Sequence, residues 1–241
     1  RIEQIMALRH EAAQLLGFAN AAEESLATKM AETPERVLHF LQDLTARAKP
    51  VAEREISELG AFATARFGID TLQPWDVAYA SEKLRIDRYA LSEEELKPYF
   101  PLERVMAGLH ALTERVFGVK LVERSGVDLW HPDARCFDLA DAGGDAFAVV
   151  YFDLFARSGK RGGAWMDVAR SRKRISALQR PHAFLTCNFA PPTAALPSLL
   201  THDDVLTLFH EFGHGLHHLL TEIDYPSLSG IEGVEWDAVE L

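Results

Sequence analysis

The sequence predicts a mainly α-helical chain with a small β-sheet (α+β), in which most of the helices precede the strands. Three observations lead there. Apolar residues recur at helical spacing as far as Phe117, β-branched and aromatic runs follow Gly118, and a last amphipathic segment starts near Thr201. At 241 residues the chain has room for one large domain or two small ones. The expected division is a helical region over 1–118, then a region over 119–241 holding the sheet, the helix from Thr201 and the start of another at Trp236.

The first helix is read from Ile5, Leu8, Ala12, Leu15 and Leu16, and a second, short one from Ala21 to Met30. Thr33-Pro34-Glu35 supplies an N-cap, a proline at the first helical position and an early carboxylate. The long pattern that follows runs to about Phe67, where Gly68 stops it, and Pro50 should kink it or mark a join. Pro74-Trp75-Asp76 opens a helix to about Arg88. Ser92 and Glu95 fit a capping box for a short helix ending before Pro98, and Pro101 starts one to Phe117. The acidic faces of these helices are read as solvated, over a hydrophobic stripe.

Strands are expected at Val119–Val122, Arg135–Leu139, Ala146–Phe155 and His182–Phe189. The third of these is apolar on both faces and belongs inside a sheet. Ser158–Gly163 is a glycine-rich loop without a P-loop pattern, so its glycines are read as permitting close backbone approach. A peptide could pair with the strand from Ala164 or with the one around Ala183–Phe189, and the pattern does not choose between them. In the final helix Thr201 and Asp204 form a capping box, and Leu206, Phe209, Gly213, Leu216 and Leu220 are read as the inward stripe.

Composition excludes several roles. A net charge of −11, from 25 Lys+Arg against 36 Asp+Glu, opposes a phosphate backbone, so no nucleic-acid partner is expected. It also gives an anionic membrane surface little to attract, and there is no uninterrupted apolar run of about 18 residues, so no membrane partner is expected. Cys136 and Cys187 make no disulfide framework and read as buried thiols in a cytoplasmic protein. Arg1-Ile2-Glu3-Gln4 is neither a signal peptide nor an initiator methionine and reads like the middle of a helix. The chain is therefore expected to be an internal piece of a longer protein.

The chemistry concentrates in His210-Glu211-Phe212-Gly213-His214. Histidines four apart share one face of a helix, where two nitrogens can converge on one Zn²⁺ at about 2.0–2.1 Å. Glu211 projects beside that point, placed to take a proton from an attacking water and return it to a leaving amine. Catalytic zinc needs a third protein ligand, and Glu240 is the best candidate on spacing, with Glu222, Glu232 and Glu235 competing. His217 and His218 could contact a ligand's surroundings or substrate but are read as lying on the helix surface or at its edge, and His202 as a capping or solvent-facing residue. Asp237 could hydrogen-bond a ligating histidine or serve the first turn of the last helix. Two rival readings stay open: another zinc peptidase, such as a carboxypeptidase, or a non-enzymatic scaffold whose HExxH motif is accidental.

The run Phe209–His218 resembles the active-site helix of the M3 family, the thimet-oligopeptidase-like peptidases. The similarity extends to Tyr151–Arg157, Gly159–Trp165, Leu185–Phe189, Thr201–Val205 and Trp236–Leu241, so its motifs cover about residues 150–241. It implies the zincin-like core of a two-lobed, mostly helical oligopeptidase that cleaves short peptides. His210, His214 and Glu240 would bind one Zn²⁺ per chain, and Glu211 would act as general base and acid. In the family, tyrosine and histidine side chains after the third ligand bind substrate and stabilise the oxyanion. Those groups would lie beyond Leu241, so this chain alone is expected to be nearly inactive and to need the remainder of its parent.

Overall fold

The computed structural model describes residues 1–240. It is mainly helical with a small mixed sheet, and it divides into two compact units, Arg1–Leu91 with Val234–Leu241, and Ser92–Gly233. The division falls at Leu91, before the change of period at Gly118, because the last helix of the first half packs with the strands that follow it.

The first unit holds α1 (Ile2–Leu15), α2 (Ala21–Leu26), α3 (Pro34–Phe67) and α4 (Pro74–Tyr89). Local signals in the sequence place them. Asn20 caps α2 by accepting from the amides of Ala22 and Glu23, Thr33 caps α3, and Gly68 closes α3 in the left-handed conformation that glycine adopts without strain. α3 is continuous through Pro50. The core of this unit is small, with Leu59, Ala63 and Ala80 buried and Ile69, Leu72, Val77 and Leu84 packed on them. The apolar stripes of α1 and the first half of α3 are largely uncovered: Ile5, Leu8, Leu15, Leu38 and Leu44 are all exposed. No helix is long and apolar enough to cross a membrane among the described residues.

In the second unit, Ser92 and Glu95 cap each other reciprocally at the start of α5 (Glu93–Leu96), and a 3₁₀ turn over Lys97–Tyr99 carries the chain through Pro98. α6 (Leu102–Phe117) buries Leu102, Val105, Met106, Leu109 and Thr113, a single helical stripe. Next come β1 (Lys120–Glu123), β2 (Arg135–Ala140), β3 (Ala146–Phe155), β4 (Trp165–Arg170), the two-residue strands β5 (Lys173–Arg174) and β6 (Leu178–Gln179), and β7 (His182–Phe189). The main sheet runs β1-β2-β3-β7-β4, and β5 and β6 form a separate pair that the sequence did not announce. β3 is central, as its two apolar faces require. It pairs antiparallel with β2 and parallel with β7, and β7 in turn pairs antiparallel with β4. β7 therefore has a neighbour on each side, whereas β4 keeps an open edge.

α7 (His202–Leu219) lies on this sheet, held at its start by the Thr201–Asp204 capping box. One core joins α6, the sheet and α7 through Leu109, Phe137, Val150, Phe152, Leu185, Leu208 and Phe212, among others. The rotation of α7 differs from expectation. Leu206 and Gly213 are exposed, and the buried stripe is Leu208, Phe212, Gly215, Leu216 and Leu219. The helix carries two adjacent apolar stripes, and the sheet selects the one whose Phe212 stacks on Phe152, centroids 6.0 Å apart.

The loop before β4 is tied down by a buried ionic cluster. Asp153 accepts from Arg157 (2.6 and 2.8 Å), from Trp130 Nε1 (2.9 Å) and from Lys160 Nζ (2.9 Å). Lys160 also donates to the carbonyls of Asp153 and Phe155 at 2.8 Å, which accounts for the lysine in this glycine-rich loop. Burial alone would push the Asp153 carboxyl up, but the bonds from Arg157, Trp130 and Lys160 hold it well below the usual carboxylate range. Asp153→Asn leaves Lys160 buried without its counter-charge, and we expect it to cost about 3–5 kcal/mol, read by chemical denaturation.

His182 opens β7, and burial, with Arg170 and Arg124 adding to it against Asp138, lowers its pKa to about 4. The folded state therefore disfavours the protonated ring. Its contribution to stability is complete above the unfolded value of about 6.5 and is lost as pH falls through about 4. His182→Gln should flatten that part of a stability-against-pH curve, and an unchanged slope between pH 6.5 and 4 would count against it.

Candidate metal centre

An α-helix turns about 100° per residue. With Phe212 fixed against Phe152, the positions two before and two after it both fall close to the opposite face. These are His210 and His214, exposed and half-buried respectively. Their Nε2 atoms face each other at 3.1 Å, with the rings nearly perpendicular at 86°. A tetrahedral cation bonded at about 2.0–2.1 Å sets its ligand nitrogens about 3.3–3.4 Å apart, so a metal fits between the two rings with little movement of either. The donor set, two imidazole nitrogens on one helix, suits zinc.

Glu211 lies on the flank of α7 and is only 8% exposed. Its charge reaches Cys187 on β7, where burial first and the Glu211 carboxylate second push the thiol up to about 12. The carboxylate thus sits at the margin between the core and the open face carrying the histidine pair. His217, one turn beyond His214, is exposed as expected and lines an open groove of about 540 Å³ with Gly213, Leu216, Leu220 and Glu222. His218 is not a surface residue. It is fully buried, with Nε2 2.9 Å from the Arg170 carbonyl. His202 is exposed at the first position of α7, its ring near Phe100, and Thr201 does the capping.

The residues around Glu240 depart from the expected helix. Trp236–Glu240 forms hydrogen-bonded turns, with Ala238 N donating to Glu235 O at 2.9 Å. The Asp237 carboxylate accepts from the backbone of Met30 (3.1 Å) and Ala31 (2.8 Å), and the Met30 bond chiefly lowers its pKa. Glu240 belongs to the unit built from Arg1–Leu91 and Val234–Leu241, and the two histidines belong to the other. Glu222 follows α7, and Glu232 and Glu235 lie in the turn-rich segment after it. The sequence held no local signal for the partners of His218 and Asp237, because both are made by distant backbone.

The family model described as peptidase family M3 matches residues 1–241. The chain is 56% identical over 242 residues to oligopeptidase A of Escherichia coli (strain K12), covering 100% of this chain and 36% of that protein. It is 43% identical to the probable cytosolic oligopeptidase A of Arabidopsis thaliana, over 100% of this chain and 35% of the relative. It is 38% identical to the dipeptidyl carboxypeptidase of Escherichia coli (strain K12), over 95% of this chain and 34% of the relative. The chain thus spans about a third of the length of the curated relatives it matches.

Cys187 is fully buried with its thiol held far above neutrality, so it should resist alkylation at pH 8 in the folded chain. Reaction with iodoacetamide should require denaturant. Labelling of the native protein as fast as that of the unfolded one would contradict this environment.

Proposed function

The chain belongs to peptidase family M3, and from that premise we propose that it carries the zinc-binding and proton-transfer part of a cytoplasmic oligopeptidase, a zinc endopeptidase acting on short peptides. The observation that carries the reading is the pair of facing Nε2 atoms of His210 and His214, 3.1 Å apart, with a buried-edge carboxylate beside them. In this reading His210, His214 and Glu240 hold one zinc ion, and Glu211 is the general base and acid. Glu240 is preferred over Glu222, Glu232 and Glu235 because it lies in the Trp236–Leu241 motif that resembles the family's third-ligand segment.

Bound there, zinc supplies Lewis-acid polarisation of the scissile carbonyl and makes an attacking water more acidic. The protein residues do the rest. Glu211 accepts the water's proton as it attacks and delivers it to the amine that leaves, and its buried position favours that transfer over loss to bulk solvent. The open edge of β4 offers backbone groups to an extended peptide, by β-augmentation, and the order of the sheet favours it over β7, which is paired on both sides. Groups that stabilise the oxyanion are assigned to the remainder of the parent chain, since this one spans about a third of its relatives. A second reading, removal of residues from a peptide's C-terminus, has support in the 38% identity to a dipeptidyl carboxypeptidase. Peptides with blocked C-termini separate the two: an endopeptidase cleaves them and an exopeptidase does not.

The test belongs in the full-length parent. Glu211→Gln should lower kcat by about 10²–10⁴ while zinc stays stoichiometric. His210→Ala and Glu240→Ala should each lose tightly held zinc by metal analysis, whereas Glu222→Ala and Glu232→Ala should keep it. Retention of zinc and full turnover in Glu240→Ala would remove that residue from the ligand set.

A further inference from the structure

His218 is a polar side chain sealed inside the unit, and neither the histidine pair nor Glu211 accounts for it. It is 0% exposed, and its Nε2 lies 2.9 Å from the carbonyl oxygen of Arg170 at the end of β4. A carbonyl can only accept, so Nε2 carries the proton and Nδ1 presents a lone pair. That Nδ1 is buried without a hydrogen-bond partner among the described residues. Gly230 closes over the same ring in the left-handed region, at φ 66°, and a Cβ there would stand 2.6 Å from Nδ1 and 2.8 Å from the His218 Cα. The chain thus uses glycine where both the backbone angle and the close approach require it.

The partner on β4 is equally specific. The β4–β7 register shifts between Val168 and Arg170, and the carbonyl taken up by His218 belongs to the residue at this irregularity. Glu211 and His218 are seven residues apart, about two helical turns, so they lie nearly in line on one flank of α7. A bond made by His218 therefore fixes the flank from which Glu211 projects.

We propose that His218 is a positioning residue for the peptidase reaction, holding the axial offset of α7 against the open-edged strand β4 through its bond to the Arg170 carbonyl. The consequence rests on the proposed function. A peptide paired on β4 meets Glu211 and the His210/His214 pair at an offset that this buried bond fixes at the β4 end, and a misplacement of about 1 Å is enough to cost up to 10²-fold in rate.

The test compares three substitutions in the full-length zinc-loaded parent. The amide nitrogen of His218→Gln reaches the place of Nε2 and can still donate to Arg170, that of His218→Asn reaches only the place of Nδ1, and His218→Leu has none. We expect His218→Gln to stay within about twofold of wild type, and the other two to lose about tenfold or more in kcat with zinc still stoichiometric. Equal loss in all three, no loss in any, or loss of zinc with the bond would overturn the proposal. Should the Asn and Leu variants not fold, the unmodified protein decides. Long-range ¹H–¹⁵N spectra, with the His218 signals assigned by their disappearance in His218→Gln, must show the Nε2–H tautomer, and the Nδ1–H tautomer would overturn the lock. A wild-type parent without zinc-dependent hydrolysis would sink the proposed function instead, and the tautomer would still report on the bond.

Discussion

The stack of Phe212 on Phe152 is the contact on which the rest of the site depends. It is an ordinary packing interaction between a helix and a central strand, and it acts as a rotational stop. Once Phe212 is turned into the sheet, Leu208, Leu216 and Leu219 follow it inward, and helix geometry leaves His210 and His214 no place except the far side. Gly215 belongs to the same constraint. A Cβ there would stand 3.3 Å from Leu185, so the helix sits about as close to β7 as side chains allow. The histidine pair is thus aimed by hydrophobic burial, and the two imidazoles themselves contribute nothing to choosing the direction.

The open edge of the sheet is held by a different kind of force at each end of β4. Before the strand, Lys160 spends its three protons on Asp153 and two backbone carbonyls, a pairing that is strong because it is dry. Asn188 adds bonds to the carbonyls of Arg161 (2.8 Å) and Gly163 (2.6 Å). After the strand, the neutral bond from His218 takes up Arg170. An edge strand pinned in this way keeps its outer backbone groups in a fixed row, which is what a pairing surface needs and what a loosely held edge lacks.

Much of this was legible in the sequence, and what was legible was local. The Thr33 cap, the Ser92–Glu95 and Thr201–Asp204 boxes and the Gly68 and Gly118 stops each act within a few residues, and each stands where its residue type required. The interior place of β3 also followed from its own composition. The rotation of α7 did not, because Leu206, Phe209 and Leu220 lie beside Leu208, Phe212 and Leu219 on the helix surface and only the sheet distinguishes them. The partners of Asp237 and the burial of His218 escaped the sequence for a related reason, since the groups they bond are backbone atoms of Met30, Ala31 and Arg170.

The order of strands in the sheet carries a consequence for how the molecule comes to exist. β7 is the last strand in the chain, yet it lies between β3 and β4, parallel to the first and antiparallel to the second. During synthesis β3 and β4 emerge with a one-strand slot between them and no partner for each other. The slot fills only when His182–Phe189 arrives, and α7, which covers the joint, is made later still. Until then the most apolar strand of the protein has a bare side, so the interval between the translation of Phe155 and that of Leu219 is when this sheet is most open to pairing with the wrong chain.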